Sequence, residues 1–278
     1  MRIAVLSGKG GTGKTFVSVN LACAAGKAAY VDCDVEEPNG HLFLKPTVTV
    51  KTSVTVFVPE VDAKRCTGCR TCVEFCKYNA LAFIKDRLMI FKEVCHSCGG
   101  CILFCPQKAL KERQREIGVM EEGSSGSVAS FTGCLNTGEV SGVPIIKSLM
   151  SRLPNDKTVV IDCPPGSACI VMESIRKADF CVLVAEPTLF GVHNLAMVYE
   201  LVKLFEKPFG AVLNKCLPEE NPAEQFCAEH RIDVLARIPY DEKLGALNSQ
   251  GRVAARESEE YHKLFEGLLT GITKEVTP

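Results

Sequence analysis

A glycine-rich segment close to the N-terminus has the sequence Gly8-Lys9-Gly10-Gly11-Thr12-Gly13-Lys14-Thr15. The apolar residues 3–6 precede it and an amphipathic stretch at 16–25 follows it, so the segment lies where a strand passes into a helix. Such a loop binds phosphate, because its backbone N–H groups converge on an anion at the positive end of a helix dipole. Lys14 is placed to reach the β and γ phosphates, and Thr15 supplies a hydroxyl for Mg²⁺. The sequence therefore predicts a nucleoside triphosphate site.

Length and composition limit the class of protein. The chain has 278 residues, enough for a full domain and a small one, with 46% hydrophobic and 23% charged residues as in ordinary globular proteins. A formal net charge of −1 gives no support for a nucleic-acid partner. No apolar run approaches the roughly 18 residues that cross a bilayer, and residues 3–6 are too short for a signal peptide. We expect a cytoplasmic protein without a membrane partner.

Eight of the 16 cysteines form an internal repeat. Each copy has the spacing C-x₂-C-x₂-C-x₃-C followed, after three intervening residues, by Ala-Leu. The copies are Cys66, Cys69, Cys72 and Cys76, then Cys95, Cys98, Cys101 and Cys105. This is the spacing of bacterial ferredoxins with two [4Fe–4S] clusters, in which the fourth cysteine of each run ligates the other cluster. We predict one cluster on Cys66, Cys69, Cys72 and Cys105, and a second on Cys76, Cys95, Cys98 and Cys101. Zinc is the competing interpretation.

Two acidic segments follow predicted buried strands. Residues 28–31 are apolar and end at Asp32-Cys33-Asp34, and the strand at 158–162 ends in Asp162. In a doubly wound sheet, a carboxylate just past the carboxyl end of a strand lies beside the phosphate site. The alternative for these residues is turn or helix capping.

The rest of the chain is predicted as alternating strands and helices. Further strands are expected at 180–185, 209–213 and 234–238, and helices at 145–153, 195–205 and 259–272. Residues 47–58 predict a ribbon of two short strands, and the Gly- and Ser-rich residues 118–142 are expected to return the chain to the main sheet. The last helix has an apolar face and no basic bias on its polar face, which favours packing on the sheet over membrane binding.

The segment K-G-G-T-G-K-T, with Lys9 as a second cation, resembles the deviant phosphate loop of the MinD/ParA ATPases, which include the nitrogenase iron protein and Mrp-type iron–sulfur carriers. The resemblance implies that Lys9 reaches the nucleotide of a partner subunit in a dimer that closes on ATP. It also implies a first switch in which Asp34 organises Mg²⁺ and the attacking water. In Asp162-Cys163-Pro164-Pro165-Gly166, it implies that Asp162 holds Mg²⁺ through water and Gly166 senses the γ-phosphate.

The base predicted for the nucleotide is adenine. Asn214-Lys215-Cys216-Leu217 lacks the final Asp with which regulatory GTPases recognise guanine. The family resemblance places Asn214 at the edge of adenine and closes Pro239-Tyr240-Asp241 over the ring, so that Asn214, Pro239 and Asp241 are expected cofactor contacts.

Two cysteines outside the repeat suggest a third cluster. Cys134 lies 28 residues before Asp162 and Cys169 lies seven after it, an arrangement that resembles the cluster ligands of the nitrogenase iron protein. We hypothesise a [4Fe–4S] site shared between two subunits, the alternative being unrelated structural cysteines. The other cysteines, such as Cys23 and Cys181, are predicted to be small buried hydrophobic residues.

The sequence thus predicts an α/β fold: a doubly wound, mainly parallel P-loop NTPase sheet with an inserted small α+β ferredoxin domain of bacterial type. The predicted boundaries are 1–58 and 113–278 for the ATPase domain and 59–112 for the insert. The expected function is Mg²⁺-dependent ATP hydrolysis in a dimer with itself or a paralogue, coupled to electron transfer or to iron–sulfur or metal cluster assembly on an acceptor protein. The alternative is a positioning ATPase with a redox-sensing insert.

Overall fold

A nine-stranded sheet forms the centre of the computed structural model, which describes residues 1–218 and 221–276. Nine strands form this sheet: β1 Arg2–Leu6, β2 Ala28–Asp32, β3 Thr47–Val61, β6 Leu110–Ser125, β7 Val128–Leu135, β8 Thr158–Asp162, β9 Phe180–Ala185, β10 Phe209–Cys216 and β11 Val234–Pro239. The strands β4 Leu81–Ile84 and β5 Arg87–Ile90 pair separately as a hairpin. The helices are α1 Lys14–Ala24, α2 Gly40–Leu44, α3 Thr71–Phe75, α4 Gly100–Leu103, α5 Val143–Ser151, α6 Cys169–Ile175, α7 Leu189–Leu204, α8 Pro222–His230, α9 Glu242–Ser249, α10 Ala254–Glu257 and α11 Glu259–Val276.

The strand order of the sheet is β11-β10-β9-β1-β8-β2-β7-β6-β3. All neighbours from β11 to β7 are parallel, and β6 is antiparallel to both β7 and β3. Helices α5 to α8 contribute to the hydrophobic core on one face, and α1 and α9 to α11 contribute to the core on the other. Strands covered on both faces need continuous apolar sequences, as in β9, which is wholly buried. The predicted doubly wound, mainly parallel sheet is confirmed.

Helix α1 is buried more completely than its sequence predicted. Residues 16–22 are all buried, so the helix is not amphipathic in its surroundings. The reason is that α11 covers its outer side, where Phe16 meets Phe265 edge to face with ring centroids 5.8 Å apart. Leu268 and Ile272 of α11 are buried in the same core. The last helix was predicted to pack on the sheet, and its apolar face is buried in the core that α1 and the sheet form together.

One prediction about the middle of the chain is wrong. Residues 47–58 belong to one 15-residue strand, β3, because β6 pairs with it continuously apart from two register shifts. Residues 118–142 return the chain to the main sheet as predicted, but they do so as strands, since they form the end of β6, all of β7 and the approach to α5. Their glycines serve close strand packing: a Cβ on Gly118 would lie 2.2 Å from the carbonyl oxygen of Cys134, and one on Gly123 would lie 2.5 Å from that of Thr47.

The β3–β6 pair projects beyond the sheet. Strand β7 pairs with β6 only along residues 118–125, so residues 55–61 and 110–116 form a two-stranded ribbon. Because β6 runs antiparallel to β7 and continues past Leu135, the ribbon extends beyond the carboxyl ends of the parallel strands. Seven residues per strand correspond to about 23 Å. The ribbon carries the cysteine repeat, in residues 62–109, on the side of the sheet where the phosphate loop lies.

The predicted boundaries of the insert fall inside this ribbon, where Pro59 pairs with Glu112. The cysteine-bearing residues 62–109, here called the cysteine segment, contain the separate β4–β5 hairpin and the short helices α3 and α4. Across residues 1–218 and 221–276, no helix has both the length and the apolar character needed to cross a membrane.

Candidate nucleotide site and cysteine cavities

The glycine-rich loop between β1 and α1 has the backbone of a phosphate cradle. Gly11 and Gly13 have φ angles of 82° and 93°, which glycine adopts without strain, and Gly13 precedes the first turn of α1. A Cβ on Gly8 would lie 2.2 Å from the backbone oxygen of Asn194, so the loop packs directly against the backbone of α7. Within the described residues, the buried hydroxyl of Thr12 has no hydrogen-bond partner. An unpaired buried hydroxyl directly before the first turn of α1 fits a phosphate ligand.

Gly13→Ala is expected to weaken ADP binding at least tenfold. An added Cβ would lie 2.1 Å from the side-chain nitrogen of Asn214, and alanine is strained at a φ of 93°. Calorimetric titration with Mg-ADP measures the loss. The control is Gly267→Ala on the exposed surface of α11, where nothing lies within 4 Å and affinity should stay unchanged. Equal affinity of the Gly13 variant and wild type would contradict the prediction.

Lys14 is buried between two carboxylates. Its Nζ lies 2.9 Å from Oδ1 of Asp162 and 3.9 Å from Oδ2 of Asp34. Burial alone would lower the pKa of Lys14, but the aspartates, Asp162 first, outweigh it and the pKa is raised. Lys14 therefore stays charged, and its partners are the two acids that the sequence assigned to magnesium.

The two aspartates after β2 have different roles. Asp32 is fully buried, and its carboxylate accepts hydrogen bonds from the backbone N–H groups of Asp34 at 3.1 Å and Gly40 at 2.9 Å. Burial, with the Asp162 charge, raises the pKa of Asp32 to about 7. Burial also raises the pKa of Asp34 to about 6, against the opposing effect of Lys14. Asp32 thus caps the turn, which was the alternative to a role at the phosphates. Asp34 instead faces Lys14.

Lys9 is held within its own chain. Its Nζ lies 3.2 Å from Oε2 of Glu186 and 4.8 Å from the ring centroid of Phe190. Oε1 of Glu186 is 3.0 Å from Nζ of Lys215, which also donates to the carbonyl of Gly11 at 2.9 Å. Sequence reasoning missed Glu186, although the signal was present: an acid directly after the predicted strand at 180–185, as with Asp32 and Asp162.

The cavity above the loop, about 760 Å³ in volume, is lined by the remaining predicted nucleotide contacts except Gly166: Gly10, Thr15, Asn214, Pro239 and Asp241. Asn214 donates its side-chain N–H to the carbonyl of Thr12 at 2.8 Å. The Asp241 carboxylate caps α9, accepting from the N–H of Lys243 at 2.6 Å. Both side chains therefore lie at the site, and each already makes a hydrogen bond within the protein. Their contact with adenine stays a prediction.

Gly166 lies in the loop after β8 with a φ of 91°. Its N–H donates to the carbonyl of Ser7 at 3.0 Å, which ties the predicted second switch to the entrance of the phosphate loop. A γ-phosphate would compete with Ser7 for this N–H group.

The cysteine segment contains two cavities, and each is lined by three cysteines of one run and one of the other. The first is lined by Cys66, Cys69, Cys72 and Cys105, and the second by Cys76, Cys95, Cys98 and Cys101. Backbone N–H groups already donate to two of the sulfurs, from Ala80 to Cys76 at 3.4 Å and from Ala109 to Cys105 at 3.3 Å. All eight are free thiols. The crossed grouping is the one predicted for two cuboidal clusters.

Within residues 1–218 and 221–276, no three His, Cys, Asp or Glu side chains are arranged around a single metal ion. Such an ion holds each sulfur at about 2.3 Å and so requires the sulfurs to be close together. A cuboidal cluster separates its thiolates more widely, since each sulfur binds a different iron. Binding of a cluster and binding of zinc at these cavities both stay predictions.

Cys134 and Cys169 are both exposed. Cys134 lies near the carboxyl end of β7, opposite Val119, and Cys169 begins α6 after β8. Both are therefore at the nucleotide side of the sheet, where the hypothesis of a shared cluster requires them. Of the cysteines predicted to be buried, Cys181 is buried and Cys23 is half-buried.

A family model described as the CobQ/CobB/MinD/ParA nucleotide binding domain matches residues 3–254. An uncharacterized protein of Methanocaldococcus jannaschii is 27% identical over 252 residues, covering 88% of this chain and 87% of that protein. One component of an ion-translocating oxidoreductase complex from Methanosarcina acetivorans is 38% identical over 48 residues, 17% of this chain and 18% of that protein. The septum site-determining protein MinD of Pyrococcus horikoshii, solved with Mg-ADP, has a TM-score of 0.61 and 19% identity, covering 99% of this chain and 97% of that one. At this identity the likeness concerns the fold.

Proposed function

Because the chain belongs to the CobQ/CobB/MinD/ParA nucleotide-binding family, we propose that it is a Mg²⁺-dependent ATPase whose dimer closes on ATP and drives iron–sulfur chemistry at the cysteine segment. The observation that carries the proposal is the shared location of the two sites. The ribbon places the crossed cysteine cavities on the carboxyl side of the sheet, where the phosphate loop and Asp162 also lie.

The ATPase half follows from the charges around Lys14. Nucleotide phosphates would attract Lys14 away from Asp162 and Asp34, so that these two carboxylates and Thr15 would be free to hold Mg²⁺. The ion, when bound, would supply positive charge to the β and γ phosphates. Asp34 would orient the attacking water, and Lys9 would leave Glu186 to reach the partner's nucleotide.

The iron–sulfur half rests on the two sets of cysteines. Each set offers four thiols around one cavity, with one backbone N–H group directed at a sulfur of each set, and this suits a [4Fe–4S] cluster. The short similarity to a component of an oxidoreductase complex supports a redox role. Two outcomes remain within the proposal: the clusters donate electrons to an acceptor protein, or one is delivered to it. Cys134 and Cys169 would add a third cluster on the dimer axis.

A continuous set of contacts supports coupling between the two halves. The backbone carbonyl of Val35, next to Asp34, accepts a hydrogen bond from Leu135 at 2.8 Å. The following residue, Asn136, donates to the carbonyl of Ile117 at the base of the ribbon at 2.9 Å. Arg115 and Glu139 form a half-buried bidentate ion pair at the same place, with N–O distances of 2.5 Å. A change at Asp34 therefore reaches the ribbon through only two backbone hydrogen bonds.

The second candidate is a spatial positioning ATPase with a redox-sensing insert. It is favoured by the fold, which matches a protein that determines the septum site. The burial of Phe265, Leu268 and Ile272 against α1 speaks against a membrane role for the last helix. This candidate predicts ATP hydrolysis without transfer of electrons or iron to any acceptor.

Measuring iron and acid-labile sulfide per dimer separates these functions. The measurement is made on anaerobically purified dimer, with and without ATP and an apo-acceptor. About 16 iron per dimer, constant through turnover, supports electron donation. About 20 iron, falling to about 16 in Cys134→Ala/Cys169→Ala, supports the shared cluster, and an unchanged count in that variant contradicts it. Iron lost to the acceptor only with ATP supports delivery. An iron-free protein that hydrolyses ATP would overturn the iron–sulfur half.

A further inference from the structure

Tyr30 is a phenol buried completely beneath the nucleotide site. It lies on β2, which pairs with β8 so that Tyr30 is opposite Val160 and Asp32 is opposite Asp162. Its hydroxyl reaches along the strand and donates to Oδ2 of Asp162 at 2.9 Å. A buried tyrosine hydroxyl requires such a partner, and here the partner is the acid assigned to magnesium.

The two oxygens of Asp162 have different donors. Oδ1 faces the Nζ of Lys14 at 2.9 Å and the hydroxyl of Ser18 at 3.1 Å. The Ser18 hydroxyl is also 2.8 Å from the carbonyl of Lys14, so its single hydrogen is shared between two acceptors. Oδ2 receives its hydrogen bond from Tyr30, whose other close acceptor, Asp32, is farther away at 3.4 Å.

The phenol is sealed from solvent by the start of α2. A Cβ on Gly40 would lie 2.1 Å from the hydroxyl oxygen of Tyr30, so the backbone of the segment after the first switch passes directly over it. The N–H of Gly40 donates to Asp32, which fixes this segment in place.

Under the proposed function, nucleotide binding changes the partners of Asp162. Lys14 then turns to the phosphates, and the buried Asp162 carboxylate loses its ionic partner. We propose that Tyr30 is the positioning residue that then fixes the orientation of Asp162 toward Mg²⁺. A neutral donor suits this role, because it orients the carboxylate without cancelling the charge that the cation requires. The inference rests on the proposed ATPase function.

The test compares ADP affinity in EDTA with ADP affinity in Mg²⁺, by calorimetry, in wild type and Tyr30→Phe. We expect the affinity in EDTA to stay within about twofold, and the Mg²⁺-dependent gain to fall about tenfold, the typical effect of losing a hydrogen bond to a charged group. Tyr199→Phe is the matched control, since this α7 residue packs its ring against Phe209 and Phe226, and its substitution should leave both affinities unchanged. A full Mg²⁺-dependent gain in folded Tyr30→Phe would overturn the assignment.

Ser18→Ala provides a second test that does not depend on the folding of Tyr30→Phe. If Tyr30 fixes Asp162, Ser18→Ala keeps the Mg²⁺-dependent gain within about twofold, because its shared hydrogen contributes little. A tenfold loss in Ser18→Ala would identify the serine as the positioning group and overturn the assignment. Wild-type protein that binds ADP neither in EDTA nor in Mg²⁺ would overturn the proposed nucleotide site. Wild-type protein that binds ADP without any Mg²⁺-dependent gain would overturn the role of Tyr30 toward Mg²⁺ while leaving the nucleotide site in place.

Discussion

Cys66→Ala/Cys76→Ala is expected to contain no cluster iron, whereas Cys66→Ala/Cys105→Ala keeps about four iron atoms per chain. The first variant removes one ligand from each cavity, because Cys66 lines one and Cys76 the other. The second removes two ligands from the same cavity and leaves the other four cysteines intact. Both variants carry two substitutions, so the number of cysteines lost is the same.

Iron and sulfide analysis, with EPR of the reduced protein, measures this outcome. The control is Cys181→Ala, a buried cysteine of β9 outside the cysteine segment, which should keep about eight iron atoms per chain. If each run instead ligated its own cluster, the two double variants would exchange results. Four iron atoms in Cys66→Ala/Cys76→Ala would therefore contradict the crossed arrangement.

Lys14→Met is expected to abolish ATP hydrolysis and to lower the free energy of unfolding of the nucleotide-free chain by about 3–5 kcal/mol. The loss of stability follows from Asp162, which is fully buried and would be left with a charge and no ionic partner. The lysine thus has two roles, as the phosphate ligand and as the counter-ion that makes the empty site stable.

Denaturation with urea measures the stability, and Lys14→Met/Asp162→Asn tests its cause. Removing the orphaned charge should restore most of the lost stability while ATP hydrolysis remains absent, because the two residues act as one unit. Lys215→Met is the control: its ion pair with Glu186 is partly exposed, and its loss should cost less than about 1 kcal/mol. A double variant as unstable as Lys14→Met would show that the lysine stabilises the site in another way.

The parallel part of the sheet could be predicted from the sequence because its strands are buried on both faces. The predicted strands at 158–162 and 180–185 coincide with β8 and β9, since a continuous apolar run between turn residues is a local signal. The antiparallel part could not be predicted. Gly118 and Gly123 have the composition of a loop, and they lie in β6 only because backbones of β7 and β3 approach them closely.

Site residues could likewise be predicted where they have a local sequence signal, and they were missed where they depend on contacts between distant segments. The phosphate loop, Asp34 and Asp162 occur in short motifs at strand ends, which a single sequence displays. The contact of Tyr30 with Asp162 joins residues 132 positions apart, and it depends on the register between β2 and β8. The pairing of Lys9 with Glu186 likewise depends on which strands become neighbours. Neither contact has a sequence signal of its own.

The two-stranded ribbon has a mechanical consequence. It has lost the lateral support of β7, and an isolated pair of strands bends and twists more easily than a strand inside a sheet. A rotation of about 10° at its base would displace a tip about 23 Å away by about 4 Å. Electron transfer weakens steeply with the gap between donor and acceptor. Under the proposed electron-transfer function, a lever of this length would let a small rearrangement beside the phosphates decide whether the cysteine segment is within reach of an acceptor.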